Sequence, residues 1–152
     1  MSLSQTVKTS RFLAPSILRR PAETYPAAGT YDLFDVTGNI LVMALTAVVG
    51  GVMAVGAKTI AVRANAVAMD NTAYDLASDA VGTRIIVHGA VAVETIVSAL
   101  AASSRATLTL PWYVCPGIID FILTTNPTVT GELIWELEWQ PLTANATVVI
   151  SP

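Results

Sequence analysis

The sequence predicts an all-β protein: an antiparallel β-sandwich or jelly roll with an extended N-terminal arm. Three observations carry this. Residues 132–140 alternate strictly, with Leu133, Trp135, Leu137 and Trp139 on one parity and Glu132, Ile134, Glu136, Glu138 and Gln140 on the other. That is the period-two signature of a strand with one buried and one wet face. The remaining apolar runs are short and β-branched, separated by Gly, Pro and Asn, and make about eight or nine strands with no firm helix. Before them, Pro15, Pro21 and Pro26 block any long helix, so the opening residues read as an arm. The chain therefore divides into an arm over 1–29 and a sandwich over 30–152.

Each strand follows from local pattern. Thr30–Val36 is the first, closed by Thr37-Gly38-Asn39. Ile40–Val49 is long and almost wholly apolar, as when both faces are covered. Gly50-Gly51 then marks a hairpin turn, with Val52–Val55 a short strand or part of that turn. Lys58–Ala64 follows, Ile60 and Val62 sharing one side with Lys58. Asn65–Asp79 is a loop with Asp70-Asn71 as a turn signal. Thr83–His88 is a strand in which Thr83, Ile85 and Val87 alternate with Arg84, Ile86 and His88. Residues 90–104 mix helix-favouring Ala and Leu with strand-favouring Val and Ile; a strand or loop with a helical turn is expected. Arg105–Leu110, Ile118–Thr124, Glu132–Gln140 and Thr147–Ile150 complete the strands, with Asn126–Gly131 a turn region.

Composition limits function. The chain has 152 residues, 53% apolar and only 12% charged, against about 25% charge in average soluble chains. Its mean hydropathy is +0.61. These values exclude overall disorder and leave a membrane protein, a soluble chain, or a subunit that hides surface in an assembly. Net charge is −3, which argues against a nucleic-acid partner. The charge is unevenly placed. Lys8, Arg11, Arg19 and Arg20 make the first twenty residues +4, and the rest of the chain is −7. A basic arm bearing these four residues, with Phe12 as an apolar anchor, could pair with the acidic body of a neighbouring copy. Residues 40–57 are uncharged and reach the lower length limit of a spanning helix. Gly50-Gly51 at the centre and Lys58 and Arg63 just beyond favour strands instead, so no membrane partner is expected. One cysteine allows no internal disulfide framework, and Pro15, Arg19 and Arg20 interrupt any secretory apolar run.

No constellation for catalysis is found. His88 is the sole histidine and has no nucleophile signature beside it. Cys115, between Pro111 and Pro116, lacks the electropositive setting of a thiolate, so a small buried hydrophobe is the better reading. Glu132, Glu136 and Glu138 share a strand face, but a step of roughly 6.6 Å per two residues suits neither a carboxylate dyad nor a compact cation cage. A solvated face, or a contact face for the basic arm, is expected. Trp135 and Trp139 share parity with Leu133 and Leu137 and read as core. Trp112, after Pro111, reads as a loop residue and interface anchor. Asn145-Ala146-Thr147 matches a glycosylation sequon by pattern alone. No P-loop, GxGxxG, CxxC or HExxH occurs, so neither an enzyme nor a cofactor or metal is expected.

Three pieces in order carry a family resemblance: YPAAGTYDLFDVT (25–37) with the apolar run after it, DAVGTRIIV (79–87), and VCPGIIDFILTT leading through ELIWELEWQPL to NATVV. Over roughly residues 25–150 this layout resembles small β-sandwich virion proteins of tailed bacteriophages. The resemblance implies a non-enzymatic particle subunit, similar to capsid decoration (cement) proteins that sit as trimers on the head shell. The implied partners are further copies of the chain, as a homotrimer, and the major capsid protein, at the capsid surface. A tail or fibre component with a host-attachment or glycan-binding role is the alternative. Residues 89–104 depart from the family pattern.

Overall fold

A computed structural model of the chain describes residues 15–53, 58–69, 73–87, 96–99, 112–114, 116–124 and 131–152. These residues form an antiparallel β-sandwich and include no helix. The twelve strands among them are β1 (Ser16–Arg19), β2 (Gly29–Thr37), β3 (Ile40–Gly51), β4 (Thr59–Ala64), β5 (Val67–Ala68), β6 (Tyr74–Asp75), β7 (Arg84–Val87), β8 (Ile96–Ala99), β9 (Trp112–Val114), β10 (Gly117–Thr124), β11 (Glu132–Pro141) and β12 (Thr147–Ile150). The first sheet runs β1-β11-β3-β7-β8, with β9 also on β3. The second runs β12-β2-β10-β4-β5, with β6 also on β4. The four described strands of eight or more residues, β2, β3, β10 and β11, alternate between the two sheets. Their ladders are therefore built from residues distant in sequence.

The core lies between the sheets. From the first sheet, Ile40, Val42, Leu45, Ala47, Val49, Ile85, Trp135 and Leu137 are buried; from the second, Leu33, Phe34, Ile60, Val62, Ile119 and Phe121. Trp135 and Phe121 touch across the gap, ring centroids 5.2 Å apart, and Tyr25 meets Phe121 edge-on at 4.9 Å. The alternation predicted for 132–140 holds: Leu133, Trp135 and Leu137 are buried and Trp139 packs against the core from a half-buried position.

Several sequence expectations are corrected. Gly50-Gly51 is not a hairpin turn, because β3 continues to Gly51, opposite Glu132 on β11. Ten residues of β11 pair along β3, and this outweighs the roughly 1 kcal/mol each glycine costs in a strand. The apolar run from Ile40 is not covered on both faces either. Its inner residues are buried, while Leu41, Met43, Ala44, Thr46 and Val48 are half-buried. The β11 register slips between Glu138 and Trp139, leaving Met43 unmatched on β3. That bulge switches the buried parity from Ile40 and Val42 to Leu45 and Ala47.

The expected loop 65–79 contains β5 and β6, and β4 joins β5 through a two-residue turn with Asn65 at φ 52° and Ala66 at φ 63°. Positive φ at both positions defines the type I′ hairpin turn. Trp112 lies in β9, opposite Val42, rather than in a loop; the missed cue was β-rich Trp-Tyr-Val after Pro111. Ile86 is buried alongside Ile85 and Val87. Ile96–Ala99 is a strand on β7. The expected strand Arg105–Leu110, the Asp70-Asn71 turn, the segment 125–130, His88 and Cys115 lie outside the described residues.

The boundary at 29/30 does not separate an arm from the sandwich. Ser16–Arg19 is an edge strand of the first sheet, and its register sets Ile17 opposite Glu138 and Arg19 opposite Glu136. Tyr25, also within the expected arm, is part of the core.

Candidate functional site

The residues expected to meet a partner fall into three groups. Lys8, Arg11 and Phe12 lie outside the described residues. Arg19 ends β1 exposed, across from Glu136. Arg20 is corrected outright: it is 6% exposed and committed to its own chain. Its Nη1 donates to the Leu33 carbonyl at 3.0 Å and the Ser151 carbonyl at 2.8 Å. Its Nε donates to Glu23 Oε2 at 3.0 Å. A guanidinium offers five donors in a planar fork and cannot lose its proton in a protein. Burial is therefore tolerated only where acceptors and a counter-charge are supplied, and the two carbonyls and Glu23 do so. The Tyr25 hydroxyl is buried nearby, and desolvation, reinforced by the charge on Glu23, raises its pKa.

Arg20 is a clasp between layers. It follows β1 of the first sheet, its backbone N–H donates to Trp135 on β11, and its side chain holds β2 and the residue after β12 in the second sheet. Ser151 closes the loop, its hydroxyl donating to Asp35 Oδ1 at 2.9 Å.

Glu132, Glu136 and Glu138 lie half-buried on the outer face of the first sheet, opposite Gly51, Arg19 and Ile17. No group of three or more side chains that could hold a metal ion occurs among the described residues. Trp112 is placed by its backbone on β9.

Sequence reasoning missed the outer face of the second sheet. Asp35 lies between Val149 on β12 and Ile118 on β10, each its direct cross-strand partner. Val149 is 54% exposed and Ile118 39%. Further along, Asp120 lies between Asp32 and Arg63. Arg63 grips Asp120 with two hydrogen bonds, 2.8 and 2.6 Å, which raise the Arg63 pKa. Asp32 and Asp35 are three apart, so a regular strand would send them to opposite faces. The register shift between Ile119 and Asp120 leaves Leu33 as an extra residue on β2, and this bulge turns both aspartates outward while Leu33 and Phe34 both point in. The signal was legible: two adjacent apolar residues between two acids in an otherwise alternating strand.

This second face is broad, mostly threonine and small apolar residues, and carries one ion pair with two further carboxylates. No helix among the described residues is long and apolar enough to cross a membrane. No family model, no curated protein and no solved structure matches the chain.

Proposed function

We propose that the chain is a structural subunit of a bacteriophage particle, a decoration or cement subunit that binds the head shell and strengthens it. The observation that carries this reading is the outer face of the second sheet, where Ile118 and Val149 stand exposed on either side of Asp35. Exposed apolar side chains flanking a carboxylate on an open sheet face suit a contact with a partner. A chain with 12% charged residues is suited to burying such surface in an assembly. The sequence resemblance over residues 25–150 supplies the identity of that assembly, and a homotrimer on the capsid surface is the arrangement it implies.

The mechanism is mechanical. Contacts spread over many subunits add to the cohesion of the shell without any reaction. Mixing the purified protein with undecorated heads and counting bound copies by electron microscopy tests it. Binding in a fixed ratio to the major capsid protein, with heads that survive higher temperature, is the expected outcome. No binding to any shell overturns the reading, and a few copies confined to the tail would transfer it to a tail or fibre role.

A further inference from the structure

The first fourteen residues carry basic side chains and no acidic ones, and the described part of the chain presents an acidic surface of complementary charge. Arg19 lies across from Glu136, and Arg20 is consumed inside the fold. Residues 1–14 keep Lys8 and Arg11 with no acid, plus Leu3, Val7, Phe12 and Leu13. The outer face of the second sheet offers the complement: Asp32 and Asp35 beyond the Arg63–Asp120 pair, and the exposed Ile118 and Val149. We propose that residues 1–14 of one copy dock on the outer face of the second sheet of another copy, across Val149, Asp35, Ile118 and Asp32. This rests on the subunit reading only in taking the chain to meet its own kind.

Geometry permits it. Fourteen extended residues span up to about 46 Å, and the four strands β12-β2-β10-β4 cover about 15 Å. β1 is an edge strand of the first sheet and Pro15 before it is exposed, while the acidic row lies on the outer face of the second sheet. Handing the segment to a neighbour produces a head-to-tail contact, which closes into a ring when the rotation allows.

Sedimentation of the full chain, with no shell present, tests this. The expected result is association that weakens at high salt and is lost on deleting residues 1–14. Lys8→Glu with Arg11→Glu weakens it about tenfold or more, and Asp32→Lys added to Arg11→Glu restores part of the loss. Circular dichroism on each variant confirms the sheet is intact, and the charge-swap rescue cannot arise from misfolding. A monomer at every concentration, association unchanged by the deletion, or cross-links from Lys8 to the second sheet only within one chain overturns the proposal. Self-association without shell binding would sink the capsid reading and leave this inference standing.

Discussion

Phe121 and Trp135 lock the two sheets together: one ring from each layer, centroids 5.2 Å apart and tilted by 35°, both fully buried. Tyr25 and Tyr31 extend the cluster, Tyr31 stacking on Phe121 at 5.4 Å. Trp135→Ala should cost about 3–5 kcal/mol through lost burial and the cavity left behind. A double-mutant cycle with Phe121→Ala should show a coupling of about 0.5–1.5 kcal/mol beyond area burial. Urea denaturation monitored by circular dichroism gives both values; additive losses would mean the rings stabilise independently.

The Arg20 clasp predicts an asymmetry between two conservative changes. Arg20→Lys keeps the charge but cannot reach Glu23, Leu33 and Ser151 together, and should lose about 1–3 kcal/mol. Glu23→Gln should lose less, because the Glu23 side chain is 34% exposed and water can take its place. A larger loss for Glu23→Gln than for Arg20→Lys in thermal melts would assign the stabilisation to charge rather than to the fork.

Position 66 is a place where the natural residue is strained. Ala66 sits at φ 63° after Asn65 at φ 52°, and Asn-Gly is the preferred pair for that turn. Ala66→Gly should raise stability by about 0.4–1 kcal/mol. Gly117→Ala should do the reverse. At φ 148° its new Cβ would overlap the Asn65 carboxamide, whose Oδ1 accepts the Ile118 N–H at 3.0 Å.

Asp79 carries a pH dependence. Burial, more than the neighbouring charge on Asp75, raises its pKa, while the hydrogen bond from Tyr74 opposes the shift. A carboxyl raised in the fold favours its protonated form there. Its ionised form therefore weakens the fold above the raised pKa, and the penalty fades as pH falls through it. Asp79→Asn should raise the melting temperature at neutral pH, with the gain shrinking as pH drops towards the ordinary carboxylate range.

Folding should be slow for a chain this size. The four described strands of eight or more residues alternate between the sheets, so their ladders form only when distant segments meet, and milliseconds to seconds are expected. Stopped-flow refolding measures it; a microsecond phase carrying the full amplitude would contradict the topology.

The fold class was legible because its strongest signals are local. Alternation in β11 and the Thr37–Asn39 break between β2 and β3 are each fixed by neighbours in sequence. What escaped depends on partners far away. Gly50-Gly51 looks like a turn until β11 lies beside it. Arg20 looks like a free cation in a basic arm until Leu33 and Ser151, 131 residues apart from Arg20 in the latter case, present their carbonyls to it. Trp112 gave the cue of a residue after proline, but its strand exists only through pairing with β3. The aspartates of the second sheet share a face through a single extra residue, a feature that strict alternation hides.

The buckle formed by Arg20 and Ser151 also governs how the molecule bears tension. Force applied between Pro15 and Ser151 loads the β1–β11 ladder and then Arg20, which ties both layers through Trp135, Leu33 and Ser151. A load on either point thus pulls on a charged knot anchored in the interior.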